Sequence, residues 1–123
     1  MLIMYNISVS DTLIRRISRN PDHWKILNGV KSATSVNFKT KRGEDGLSVD
    51  ILALTTLEKS VRTPTTHFVA LLSAEIPICL GFECRHDPIE NNEAHALIIG
   101  NITDSSAKKL AAASIAHEFP NIL

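Results

Sequence analysis

The order of elements written into this chain predicts an α+β fold in which a mostly antiparallel sheet packs against a C-terminal helix. Three observations carry that expectation. Short segments with two-residue alternation recur along the chain and are separated by turn residues. The clearest helical pattern is an alanine-rich segment that starts near Thr103. The elements do not alternate strictly as strand, helix, strand, so a doubly wound parallel sheet would need more crossovers than the chain supplies. Residues 1–123 read as a single compact domain, long enough to bury roughly two-thirds of the surface the unfolded chain exposes.

Residues 10–18 fit two descriptions. Ser10 can cap a short helix with Leu13, Ile14 and Ile17 on one side. The same residues alternate as a strand, with Leu13, Arg15 and Ile17 opposing Ile14, Arg16 and Ser18. Asn20-Pro21 ends either one, because the residue before proline avoids the helical region. Asp22 to Gly29 reads as a loop that partly anchors Trp24, the only tryptophan, in the core. Lys31 to Lys39 alternates weakly, with Thr34, Val36 and Phe38 on one face. Leu47 to Leu52 alternates better, Leu47, Val49 and Ile51 opposing Ser48 and Asp50. The glycines and charges of Lys39 to Gly46 predict a solvated hairpin loop, and the strands on either side of it are expected to pair.

Thr55-Thr56-Leu57-Glu58 matches a capping box, in which the threonine accepts a backbone N–H and Glu58 reaches back. The helix it opens is short, since Thr63-Pro64 stops it. Phe68 to Leu72 is a continuous apolar run of strand length and suggests a central strand. Ser73 to Leu80 is expected to make a helical turn closed by Gly81. Phe82 to His86 alternates as a short strand ended by Asp87-Pro88, and Ile89 to Asn92 is an exposed loop. Glu93 to Gly100 reads as a buried strand that packs against the following helix, with His95, Leu97 and Ile99 on one face and Ala94, Ala96 and Ile98 on the other. In the final helix Thr103, Asp104 or Ser105 serves as the cap; Ala107, Leu110, Ala111, Ser114 and Ile115 share one face; Pro120 closes it.

Thirteen basic side chains balance thirteen acidic ones. The zero net charge exerts no global pull on nucleic acid, which is therefore not indicated as a partner, and gives little protection against self-association, so a homo-oligomer is expected. Phe68 to Phe82, the longest apolar stretch, is broken by Glu75 and Pro77 and does not predict a bilayer span. The N-terminus has no basic region or cleavage site, and the two cysteines, Cys79 and Cys84, do not make a disulfide framework; a reducing cytoplasm is the expected location. Their spacing matches no zinc knuckle, and joining them to His86 and His95 does not produce one, so no metal is expected. No dinucleotide fingerprint or phosphate-cradling glycine loop is present and no cofactor is expected.

His95 is the first candidate for chemistry. An imidazole among aliphatic side chains needs a hydrogen-bond partner; it is ordinarily a satisfied core group and, in the sharper reading, a general acid–base. His86-Asp87 is second, although neighbours on a strand point to opposite faces, which argues against a direct pair and reads Asp87, before Pro88, as a turn former. Of Arg15 and Arg16 only one is directed inward in a strand, where its planar fork suits phosphate or carboxylate. Ser32, Ser48 and Glu58 are supporting polar positions. The basic residues Lys39, Lys41 and Arg42 have Phe38 as their one aromatic neighbour and are followed by Glu44 and Asp45, the pattern of a solvated loop.

Arg16-Ile17, Ser32, Phe38, Leu47-Ser48-Val49-Asp50, Leu54-Thr55-Thr56-Leu57-Glu58, Asp87-Pro88 and His95-Ala96-Leu97-Ile98-Ile99-Gly100 form an ordered set ahead of a Lys/Ala-rich helix. That set resembles a family of small uncharacterised bacterial proteins of similar length. The resemblance implies a bacterial accessory protein, carries over no catalytic residue, and marks Arg16, Ser32, Ser48, Glu58 and His95 for testing. The leading expectation is a protein-interaction or regulatory module with an unidentified protein partner. The alternative is a small enzyme or toxin acting on a nucleotide or nucleic acid, ADP-ribosyl-transfer-like or a nuclease, with catalytic His95 and Arg16 and with Ser32, Ser48, Glu58 and His86 in binding roles. A small-ligand-binding protein is the third.

Overall fold

The computed structural model describes residues 4–119. In chain order the strands are β1 (Thr12–Ser18), β2 (Trp24–Leu27), β3 (Val30–Ala33), β4 (Leu47–Ile51), β5 (His67–Ser73), β6 (Glu83–His86), β7 (His95–Ile99) and β8 (Ile115–His117). The helices are α1 (Leu57–Val61), α2 (Glu75–Cys79) and α3 (Asp104–Ala113), with 3-10 turns at Pro21–His23, Ser35–Phe38 and Leu52–Leu54. Six strands form one antiparallel sheet in the order β6-β7-β4-β1-β5-β8, while β2 and β3 pair separately. The fold is α+β, with α3 on one face of the large sheet.

Residues 12–18 form a strand because alternation satisfies two apolar environments at once. Leu13 and Ile17 enter the main core with Val49, Ile51, Phe68 and Ile98, to which α3 adds Ala107 and Leu110. Ile14 points the other way, into a smaller cluster with Val69 and with Val61 of α1. A helix would have put all three on one side. Each such fully buried aliphatic or aromatic side chain contributes about 1.5–3 kcal/mol. Because α1 is short, it covers only part of the second face, and that partial cover leaves room for a polar cleft.

Several segments differ from the sequence expectation. Asp22 to Gly29 is not a loop: after the Pro21–His23 turn it enters β2, which folds back on β3 through Asn28 (φ 52°) and Gly29 (φ 76°). Two consecutive positive φ values make the two-residue turn that matches strand twist, and Asn-Gly is the dipeptide best suited to it. Trp24 begins β2 and is half-buried against the main core, its Nε1–H donating to the Arg19 carbonyl at 3.0 Å. The segment 31–39 is β3 followed by a 3-10 turn, and β4 pairs with β1 and β7 instead of with it. The long polar loop had suggested a hairpin, but both edges of β4 are taken by strands from elsewhere in the chain.

Capping-box spacing would put the α1 cap on Thr55. The cap is Thr56, whose Oγ1 accepts from Lys59 N–H at 3.2 Å, and Glu58 lies in the exposed first turn. Thr103 caps α3, accepting from Ser106 N–H at 3.1 Å. That helix ends at Ala113. Ser114 follows it as the C-terminal cap, and Ile115 lies in edge strand β8 with 69% of its surface exposed. Pairing of β8 with β5 competes successfully with the helical preference of the alanine-rich sequence. Pro120, read as the helix terminator, lies outside the described residues. The packing of α3 is chiefly against the Ser35–Phe38 turn, not against β7. Among the described residues no helix is long and apolar enough to cross a membrane.

Candidate functional site

The large sheet opens between its two central strands. β1 pairs with β5 along its whole length but with β4 only through Leu13↔Ile51 and Ile14↔Asp50. Beyond Ile14 the guanidinium of Arg15 occupies the gap. Its Nη1 donates to the Ser48 carbonyl and its Nε to the Asn37 carbonyl, both at 2.8 Å. Arg15 therefore holds β1 and β4 apart while satisfying a backbone acceptor that a continuous ladder would have used. Asn37, buried in the 3-10 turn, is fixed in turn: its Nδ2 donates to the carbonyls of His23 and Thr34, and its Oδ1 lies 2.9 Å from His23 Nδ1.

The resulting cleft has a volume of about 330 Å³. Arg15, Arg16, Lys39, Lys41 and Arg62 line it, with His23, His67 and His95, and among the described residues Asp50 is the one acidic lining residue. Both Asp50 oxygens are engaged, Oδ2 by Ser60 Oγ at 2.7 Å and Oδ1 by Asn92 Nδ2 at 2.8 Å. Lys39 has a surface pair with Asp104 at 3.2 Å. Among the described residues Arg15, Arg16, Lys41 and Arg62 form no salt bridge. Burial, more than the crowding of positive charge, registers on the groups themselves. Burial lowers the proton affinity of Arg15 against an opposing pull from Glu44 that exceeds the added effect of neighbouring Arg16; burial and then Arg62 lower that of Arg16. Burial, followed by Arg16, Arg19 and His23, pushes His67 down from its ordinary value, toward the neutral imidazole.

Arg62 is held in an unusual backbone conformation. It has φ 63° and ψ −62°, and Thr63 N–H donates across it to the Val61 carbonyl at 2.7 Å. This is the rare, strained γ-turn, unfavourable for a residue with a side chain. Strain of this kind at the rim of a cleft fixes the direction in which the side chain leaves the backbone.

His95 and Ser48 stand diagonally on neighbouring strands, Asp50 pairing with His95 and Ser48 with Leu97. His95 Nε2 lies 3.1 Å from Ser48 Oγ. Its Nδ1 lies 2.8 Å from the Asp87 carbonyl and 3.2 Å from the Asp87 carboxylate. The side chain is 13% exposed, so the imidazole is mostly enclosed but reaches the cleft.

The structure thus brings Arg16, Ser48 and His95 together. It does not add the other positions singled out in the sequence. His86 is buried on the packed side of β6, its Nδ1 accepting from Tyr5 N–H at 2.8 Å and its Nε2–H donating to the Glu93 carbonyl at 2.7 Å. Ser32 sits on β3 opposite Lys25. Glu58 is exposed on α1 and does not line the cleft. Cys84 is half-buried, and burial pushes its thiol up to about 11, which makes it a poor nucleophile. Asp87 was weighed only as a partner for His86, whereas it contacts His95, and Arg62, His67 and Lys41 were missed as site residues. Asp87 looked like a turn former, and the others become neighbours only through sheet pairing.

Comparison of the chain with protein-family models, with curated proteins and with solved structures finds no match.

Proposed function

We propose that the protein binds a phosphate-bearing ligand of the nucleotide or nucleic-acid class in the β1–β4 cleft and acts on it with His95 as the acid–base group. One observation carries this reading: a chain whose charges cancel gathers five cationic side chains in the cleft that His95 borders, only Lys39 among them ion-paired within the described residues, and the one described lining carboxylate, Asp50, is already bonded. Concentrated positive charge in a concave, partly desolvated site attracts and orients anions. Arg16 is exposed at the cleft and has its fork available for phosphate oxygens. Arg15 has spent its fork on two backbone carbonyls and shapes the cleft. His95, with Nδ1 committed to Asp87, offers Nε2 for proton transfer. ADP-ribosyl transfer and phosphodiester cleavage both use substrates that such a cleft would hold. We assign this activity to the cytoplasm, where nucleotides abound and free cysteines stay reduced.

Calorimetric titration with AMP, ADP-ribose and a short single-stranded RNA tests the proposal. At least one is expected to bind, more weakly as salt rises. Arg16→Ala should bind it at least about tenfold more weakly, the loss expected for one charge-assisted contact, with an unchanged melting temperature. Failure of all three to bind, or undiminished binding by Arg16→Ala, rejects the reading.

The interaction-module reading has one observation in its favour. Ile26, Leu27 and Val30, at the end of the β2–β3 hairpin, are 58%, 56% and 63% exposed. A second copy of the chain would cover them. A sedimenting species that stays monomeric at high concentration excludes that arrangement.

A further inference from the structure

We infer that Ser48 Oγ is the nucleophile of a two-step transfer reaction on a phosphoryl ester, with His95 as its base and Asp87 as the residue that positions the imidazole. The choice of substrate rests on the phosphate-ligand reading; the nucleophile rests on hydrogen-bond direction. A carbonyl oxygen can only accept, so the 2.8 Å contact with the Asp87 carbonyl puts the hydrogen on His95 Nδ1. In the neutral imidazole Nε2 then carries the lone pair, and it is this atom that faces Ser48 Oγ at 3.1 Å. The hydroxyl therefore donates to a base whose far side is held by a carboxylate at 3.2 Å, the order that activates a serine.

The serine is also well fixed. Its backbone is paired with β7, and its carbonyl is held by Arg15 Nη1. A hydroxyl carried on a braced strand keeps its direction better than one on a loop. Ser48 and His95 both border the cationic cleft, so charge developing on the oxygens of a reacting phosphoryl group meets guanidinium and ammonium groups.

In the first step Oγ attacks phosphorus, the Oγ–P bond forms and the bond from phosphorus to the leaving oxygen breaks. The serine proton passes to Nε2 and from there to the leaving oxygen. In the second step water attacks the phosphoserine, giving its proton to Nε2; the Oγ–P bond breaks, and Ser48 recovers that proton.

The test treats the full chain with diisopropyl fluorophosphate and locates adducts by peptide mass spectrometry. One adduct is expected, on Ser48, as the Oγ–P bond forms and fluoride leaves. Ser48→Ala should take none. His95→Ala should react about a hundredfold more slowly or worse, within the range of general-base contributions. If that variant does not fold, His95→Gln serves for the same comparison. Asp87→Ala should slow labelling and Asp87→Glu restore it, at unchanged melting temperatures. An unlabelled Ser48 in folded wild-type protein, or equal labelling of the His95 variant, overturns the inference. AMP binding without labelling removes the nucleophile and leaves the phosphate-ligand reading standing. Labelling of Ser48 that AMP does not slow keeps the nucleophile and removes phosphoryl esters as its substrate.

Discussion

Arg16 and Arg19 lie close together in the chain and end in opposite electrostatic surroundings. Arg19 closes a tightly paired knot. Its Nη1 and Nη2 donate to Glu118 at 2.7 and 2.6 Å, its Nε donates to the Pro64 carbonyl at 2.9 Å, and Lys31 reaches the same carboxylate at 2.5 Å. The Lys31 ammonium also lies 4.6 Å from the Trp24 ring centre and 4.8 Å from that of Phe68. Arg16 faces Arg62 and His67 in a cleft whose one carboxylate is already doubly bonded. The first cluster uses charge to tie three parts of the chain together. The second leaves an excess of positive charge unanswered, which costs stability through mutual repulsion and is the ordinary mark of a site built for an anion.

The sharpest way to break this contrast is to remove Arg15, which keeps the cleft open. Arg15→Ala leaves the carbonyls of Ser48 and Asn37 without their donor and should lower unfolding stability by about 2–3 kcal/mol, the cost of stranding partly buried acceptors. Urea unfolding measures the loss, and anion binding should disappear with it. A smaller effect of opposite sign is expected at the rim. Arg62→Gly removes the penalty of the positive-φ γ-turn and should raise stability by about 1 kcal/mol while weakening binding of the ligand found for the cleft. A variant that loses stability instead would mean that Arg62 is held there by its contacts.

The smallest effect belongs to the paired cluster around Glu118. The Arg19 guanidinium first, with Lys31 and the Phe119 N–H adding to it, holds the Glu118 carboxyl down to about 2 despite partial burial. A depressed carboxyl contributes stability that is fully present above its ordinary value of 4.5 and is lost as pH falls toward about 2. The melting temperature of the wild type should therefore drop across that window more steeply than that of Glu118→Gln. Near pH 7 the substitution should cost no more than about 1 kcal/mol, because the pair is substantially solvated and screened, and ligand binding in the cleft should be unaffected.

Much of the strand content was legible from local pattern. β4, β5, β6 and β7 fall where alternation or an apolar run put them, because the face a strand buries is encoded in its own side chains. The β2–β3 hairpin was also signalled, by Asn28-Gly29, although the reading passed over it. The end of α3 was not, because pairing of Ile115 to His117 with β5 depends on an edge that the local sequence does not reveal. In the site, His95 and Arg16 were recognisable as polar groups on otherwise apolar strands. Asp87 was considered only beside His86 or as a turn former, and its contact with His95 depends on β6 and β7 lying side by side.

By itself, then, the sequence determined that the segments of β4, β5, β6 and β7 extend, which of their residues share a face, and that the class is α+β, since these follow from periodicity and turn chemistry within short windows. Only the tertiary structure decided that β4 lies between β1 and β7, that Arg15 wedges the central strands apart, and that Ser48, His95 and Asp87 fall into one hydrogen-bonded line whose Ser48 and His95 border a cationic cleft. These depend on pairings between residues far apart in the chain. Strand register is selected by the combined burial and hydrogen bonding of the whole sheet, a quantity no local segment contains.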